Sequence, residues 1–306
     1  MKHIWMLGLI FVVACGGTSL PQPAEATLNG ITKLDRDNGV AELSVSALDD
    51  AGELLEGGEL DNVSAEVNEE GFSVIGGVCG TGEIESKGPL TTILTLDGSG
   101  SMDDNDPTEQ RTVAAQNFVM RMSQADEAAV ASFSDRIQIS LHQSLTSDKS
   151  LLEAAVNNAT RSFGGTNLWG AALESIEYLA SEPGTNKVAI VLTDGDDTES
   201  RASPADVVSR ANATNIRVFM IGLGNENTIN VADMTDVASN TNGFYHNVSD
   251  DTGLDSLFNA ALNASKASGC IDLTFQPVPT SGQSLTGELS FDINNKAFSS
   301  AYQVTF

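Results

Sequence analysis

Apolar and polar positions change rhythm twice along this chain. Ala41, Leu43, Val45 and Ala47 alternate with Glu42, Ser44 and Ser46, the period of a strand with one buried face. Asp49-Asp50-Ala51-Gly52 then reads as a hairpin turn, and Val63, Ala65 and Val67, then Phe72 and Val74, continue the alternation. From about residue 89 the rhythm changes. Mainly apolar runs at 93–96, 128–133, 188–192 and 216–223 predict strands buried on both faces, as in parallel sheets. Between them the apolar spacing is helical, as in Ala115, Phe118, Val119 and Met122, or Leu168, Ala171, Ala172, Ile176 and Leu179. Shorter signals predict helices near 151–156 and 229–239, a strand near 244–246, and a half-exposed edge strand over Ile137, Ile139 and Leu141. Asp106-Pro107-Thr108-Glu109 and Ser203-Pro204-Ala205-Asp206 read as helix starts, each with a capping side chain and Pro at the first position. Thr252 and Asp255 are expected to cap a last helix carrying Leu254, Leu257, Phe258 and Ala261 on one face. After residue 269 strict alternation returns, through Ile271, Leu273 and Phe275, then Leu289, Phe291 and Ile293, then Tyr302, Val304 and Phe306.

Strands alternating with helices over 89–268 predict an α/β fold: a doubly wound, Rossmann-like, mostly parallel sheet covered on both faces. The flanks, 27–88 and 269–306, predict a small all-β sandwich. The C-terminal piece is too short to fold alone. Both flanks are therefore expected to build one sandwich, with the α/β domain inserted in it or flanked by it; two separate β appendages are the alternative. With 41% hydrophobic residues the chain can bury a core and is not disordered.

The chain begins Met1-Lys2-His3 and then runs apolar to Ala14, too short a run to span a membrane. Residues 1–14 are expected to be a signal peptide. Val12-Val13-Ala14-Cys15-Gly16 resembles the bacterial lipobox. That resemblance implies cleavage before Cys15, lipid on its sulfur, and a place in the bacterial cell envelope, at the outer membrane. Residues 15–26 read as a tether. In that oxidising setting Cys79 and Cys270 are expected to form a disulfide, with two separate buried thiols as the alternative. The formal charge of −27 argues against nucleic acid and against anionic lipid, leaving membrane contact to the anchor alone.

Candidate chemistry sits after the first buried run, in Asp97-Gly98-Ser99-Gly100-Ser101. An acid and two hydroxyls at alternate positions can turn their oxygens toward one point, and an oxygen-only set suits Mg²⁺, with Mn²⁺ or Ca²⁺ as relatives. The carboxyl end of a strand is where open α/β sheets place ligands. Two more loops follow, Phe163-Gly164-Gly165-Thr166-Asn167 and Thr193-Asp194-Gly195. Together the three resemble the loops of von Willebrand factor type A (VWA) domains. The resemblance implies a metal-ion-dependent adhesion site (MIDAS). Ser99, Ser101 and Thr166 would coordinate directly, Asp97 and Asp194 would stand close by or act through water, and a carboxylate of a protein partner would fill the open position. Mainly neutral hydroxyls would leave the cation a good acceptor for that outside acid.

Other signals are weaker. Asp103, Asp104, Asp106, Asp196, Asp197 and Glu199 flank the loops and read mostly as solvated surface; they do not make an EF-hand, because Met102 stands where Gly is required. His142 and His246 stand alone, so a zinc site is not expected, and neither a P-loop nor a nucleophile elbow with a His partner is present. Trp169 reads as core. The expected function is that of a metal-dependent binding lipoprotein and not an enzyme. The alternatives are a constitutive scaffold subunit of an envelope assembly and, further off, a metal-assisted hydrolase.

Overall fold

A computed structural model describes residues 22–135, 138–159, 164–224, 229–248 and 250–306. The signal peptide, Cys15, Phe163 and Ile137 lie outside the described residues. In chain order the elements are β1 (Pro23–Asp35), β2 (Val40–Asp49), β3 (Leu60–Val67), β4 (Ser73–Val78), β5 (Glu85–Ser86), β6 (Leu90–Asp97), α1 (Met102–Asn105), α2 (Gln110–Arg121), β7 (Glu127–Phe133), β8 (Ser140–Thr146), α3 (Lys149–Ala159), α4 (Leu168–Ser181), β9 (Asn186–Thr193), α5 (Pro204–Thr214), β10 (Arg217–Leu223), α6 (Val231–Ser239), β11 (Tyr245–Val248), α7 (Leu254–Lys266), β12 (Ala267–Gln276), β13 (Ser284–Ile293) and β14 (Lys296–Thr305). No helix among the described residues is long and apolar enough to cross a membrane.

The central sheet runs β11-β10-β9-β6-β7-β8, parallel except for the antiparallel edge strand β8. Every residue of β6 is buried, because helices cover both faces. On one face Leu94, Phe118, Val156, Ile190 and Phe258 join β6 and β9 to α2, α3 and α7. On the other, Ile93, Trp169, Ile176, Val191 and Met234 join the same strands to α4 and α6. Trp169 is therefore core.

The flanks pair with each other: β12 lies between β2 and β4, and β13 pairs with β3. The three-stranded sheet β14-β13-β3 packs on the larger one through a core that includes Val45, Phe275, Phe291 and Val304. The sandwich is not a body of its own. Its larger sheet continues the central one, because β1 pairs antiparallel with β11 at Ile31 and Tyr245. An edge strand leaves one row of backbone groups open, and β1 covers it on β11. The expected tether also ends earlier than residue 26. β1 starts at Pro23 and pairs with β2 from there, because 23–26 find ladder partners in 47–49. Cys79 and Cys270 are bonded, with Cα atoms 5.4 Å apart, where β4 meets β12.

Two helix starts differ from expectation. Asp106 does not open α2, which begins at Gln110 after Glu109 in the left-handed region. Its carboxylate instead accepts from the Gln110 N–H at 2.6 Å and pairs with the Arg111 guanidinium at 2.9 Å, both side chains being buried. Asp250, not Thr252, caps the turn before α7, accepting from the Thr252 N–H at 3.0 Å. Ser203 and Asp206 form the expected capping box on α5.

Candidate metal centre

Strand β6 delivers Asp97 to the rim formed by the carboxyl ends of β6, β7 and β9. There the chain turns over β7, with the Gly98 N–H donating to the Phe133 carbonyl at 2.8 Å. Asp97 is fully buried. One carboxylate oxygen accepts from the Ser99 N–H at 2.7 Å and the other from the Thr193 hydroxyl at 2.6 Å. That turn brings the Ser99 and Ser101 hydroxyl oxygens to 3.1 Å. Ser101 Oγ then donates to Asp194 Oδ1 at 2.7 Å, and the Asn105 amide donates to Asp194 Oδ2 at 3.0 Å.

The second and third loops are tied in through the backbone. Gly164 takes φ +84°, and its carbonyl accepts from the Gly100 N–H at 3.0 Å; a Cβ there would meet the Asp135 carboxyl at 2.6 Å. The Thr166 N–H donates to Thr198 Oγ1 at 2.9 Å, while its carbonyl accepts from the Thr198 and Glu199 N–H groups at 2.8 and 3.1 Å. Asp197 accepts from the Leu168 N–H at 2.8 Å and from the Ser200 hydroxyl, so the third loop caps the helix that follows the second. Asp97, Ser99, Thr166 and Asp194 are buried, and Ser101 is exposed at the rim. Loops one and three touch through these side chains; loop two is bonded to both through Gly164 and Thr166.

The donor set suits a hard divalent cation. In an octahedral shell with metal–oxygen distances of ~2.0–2.1 Å, neighbouring oxygens stand ~2.9 Å apart. The Ser99–Ser101 and Ser101–Asp194 separations, 3.1 and 2.7 Å, bracket that value. Electrostatics agrees. Burial, with the charge of Asp194 beside it, pushes the Asp97 carboxyl up to about 6 against the pull of Thr193 and Ser99. A cation relieves both causes at once.

Asp103, Asp104, Asp196 and Glu199 are exposed, as read from the sequence. Asp106 is not surface, for the reason given above, and Asp197 is a cap. His142 Nε2 lies 2.7 Å from Ser132 Oγ, and His246 Nδ1 lies 2.9 Å from the Asn29 carbonyl. Sequence reasoning overlooked Thr193, Asn105 and Thr198. Thr193 had a signal, standing beside Asp194 at the end of an apolar run. Asn105 had none, since only the turn of α1 brings it to Asp194.

A model of the von Willebrand factor type A domain family matches residues 93–260, more than half of the chain. Among solved structures, proximal thread matrix protein 1 from the mussel byssus, with a zinc-occupied MIDAS motif, is similar at a TM-score of 0.53 and 20% identity, over 64% of this chain and 49% of that one. This chain thus spans about half the length of that relative. A von Willebrand factor type A protein from Catenulispora acidiphila gives 0.49 at 14% identity, over 81% and 74%. The vWF domain of the type V pili tip protein Mfa5 from Porphyromonas gingivalis gives 0.45 at 13%, over 57% and 94%. With the family match covering β6 to α7 and the three loops gathered on one rim, this chain belongs to the von Willebrand factor type A domain family.

Proposed function

We propose that this chain is a protein-binding module of the adhesion type, in which a divalent cation bridges it to a carboxylate of a protein partner. Ser99, Ser101 and Thr166 hold the cation, with Asp97 and Asp194 beside them. The observation that carries the reading is the chain of contacts Ser99–Ser101–Asp194 at 3.1 and 2.7 Å on the open rim of a parallel sheet. Three neutral hydroxyls leave much of the ion's charge uncompensated. An incoming Asp or Glu then supplies what the protein withholds. Mg²⁺ is the expected ion, with Mn²⁺ and Ca²⁺ as substitutes. In this reading the module binds and carries no catalysis of its own. It works at the bacterial outer membrane, held there by lipid on Cys15.

Calorimetric titration of Mg²⁺ and Mn²⁺ tests the metal step. Saturable binding in the parent, lost in Ser99→Ala and Asp194→Ala, is the expected result. Silence in the parent even at millimolar Mn²⁺ overturns it. For the partner step, a captured complex should dissociate in EDTA; one that survives EDTA unchanged marks a constitutive scaffold contact instead. Mass spectrometry of the mature N-terminus, with and without Cys15→Ala, tests the anchor.

A further inference from the structure

Strand pairing gathers three donors of another kind on the outer face of the sandwich's larger sheet. Ile271, Leu273 and Phe275 of β12 and Leu43 and Val45 of β2 belong to the sandwich core, so Cys270 and Glu42, at the alternate positions, face away from it. Cys270 pairs with Ser44, which makes Glu42 its diagonal neighbour on the same face. Val78 ends β4 opposite Ile271, and the next residue, Cys79, donates its N–H to the Cys270 carbonyl at 3.2 Å. A carboxylate oxygen of Glu42 and the sulfurs of Cys79 and Cys270 consequently lie within 4.8 Å of one another, on three half-buried residues.

All three line a cavity of about 420 Å³. Arg217, at the amino end of β10, lines it too, so the cavity lies at the opposite end of the parallel strands from the rim loops. Its acids, Glu42, Glu83 and Glu85, outnumber its bases, Lys87 and Arg217. One Glu42 oxygen accepts from the Thr32 hydroxyl at 2.7 Å, and the other makes no hydrogen bond among the described residues. An outer hydrogen bond of that kind fixes the orientation of a ligating carboxylate. While the disulfide stands, its sulfurs have no thiolate to offer. Once reduced, they are soft donors of the type that selects Zn²⁺. Cα atoms 5.4 Å apart let two thiolates swing to the ~3.8 Å separation that Zn–S distances of ~2.3 Å set in a tetrahedron.

We propose that Cys79, Cys270 and Glu42 form a zinc site in the reduced chain, with water as the fourth ligand. A dithiol gives two electrons and two protons to the Cys79–Cys270 bond and leaves as its own disulfide; Zn²⁺ then displaces the protons of both thiols. Sulfur separates this site from the rim, whose oxygens suit a hard ion. The junction of the sandwich with the α/β half thereby has two alternative staples, covalent when oxidised and coordinate when reduced.

Co²⁺ serves as the probe, because sulfur-to-cobalt charge transfer reports thiolate ligands and is silent for an oxygen-only site. Cys15→Ala leaves Cys79 and Cys270 as the remaining two of three cysteines. This chain is reduced with a water-soluble phosphine, which leaves as its oxide with oxygen from water, and is desalted without air. Circular dichroism checks that it is folded. Charge-transfer bands with strong tetrahedral d–d absorption, saturating at equimolar Co²⁺ and bleached by Zn²⁺, are expected in the reduced chain and absent from the oxidised one. Glu42→Gln should weaken Co²⁺ by roughly 10–100-fold, at least the loss that an outer-shell partner brings. Zn²⁺ should raise the thermal midpoint of the reduced chain by more than that of the oxidised chain, which can gain only through its rim loops. No charge-transfer band in the folded, reduced chain overturns the proposal, and unchanged affinity in Glu42→Gln overturns the stated ligand set. If reduction unfolds the chain, refolding with Zn²⁺ carries the test: recovery of the native spectrum in the parent but not in Cys270→Ser supports the site, and failure in the parent overturns it.

Discussion

Asp97 is fully buried beside Asp194, and its two oxygens accept from Ser99 and Thr193. Its carboxyl, pushed up to about 6, keeps its proton in the folded chain after the unfolded chain has lost it. Between about pH 4 and 6 the folded state therefore binds more protons, and stability falls as pH rises through that window. Thermal unfolding in EDTA should show this loss, on the order of 2–3 kcal/mol, levelling off above about pH 6. Asp97→Asn should remove the pH step, unfold at a higher temperature than the parent at pH 7, and no longer respond to added Mn²⁺. A variant less stable than the parent at pH 7 counts against this account. Arg111 and Asp106 pose the opposite case. Both are buried and paired at 2.9 Å, so Asp106→Asn strands a charge. The expected loss is about 3–5 kcal/mol by urea unfolding, much of it recovered by an apolar replacement of both residues.

Among elements, the loop between α2 and β7 acts as a clamp. Asp126 accepts from the Leu90 N–H at 2.9 Å, from Ser123 N–H and Oγ at 2.7 and 2.8 Å, and from Lys266 Nζ at 2.8 Å. It thus joins the start of β6 to the end of α7. Burial by itself would raise the Asp126 carboxyl, but these donors together hold it below the usual range. A depressed folded pKa gives stability that is present above the unfolded value and lost as pH falls below about 4. Asp126→Asn should cost about 1–3 kcal/mol at pH 7 and shrink that acid-side loss, as measured by denaturant midpoints at pH 7 and pH 3. Much at this scale was readable in advance. The runs that became β6, β7, β9 and β10 are mainly apolar because both faces are covered, and the Ser203–Asp206 box marks α5 by purely local hydrogen bonds. The start of α2 was not readable. Asp106 has a local use as a cap and a non-local one as the partner of buried Arg111, and the second moved the helix start by several residues.

On the scale of the whole molecule, the Cys79–Cys270 bond closes a separation of 191 residues that contains the entire α/β half. Chain-entropy models value such a closure at ~5 kcal/mol, an upper figure. Reduction, or Cys79→Ser with Cys270→Ser, should lower the unfolding midpoint while leaving Mn²⁺ affinity unchanged, because the bond lies where β4 meets β12 and not at the rim loops. A parallel fall in affinity would contradict that separation. Net charge acts over the same range. At −27 the folded chain repels itself, and raising ionic strength from about 0.01 to 0.15 M shortens the screening length from ~30 to ~8 Å. Thermal midpoints should rise with NaCl over this interval, in EDTA so that bound divalent ions do not contribute.

By itself the sequence determined what depends on neighbours along the chain: the strand and helix periods, the Ser203 box, and the three short loops of glycine, hydroxyl and acid residues. Asp97, Ser99, Ser101, Thr166 and Asp194 could be picked out because each stands at a strand end or beside glycine, where side chains are free to turn toward an ion. Only the tertiary structure decided what depends on residues far apart. It put Asn105 against Asp194 and Asp197 under α4, and it buried Asp106 with Arg111. It also joined β1 to β11, so that the sandwich extends the central sheet. Local hydrogen bonds and periodicity are written in adjacent letters. Edge pairing and the burial of a charge are settled by whichever partner the packed chain brings within reach.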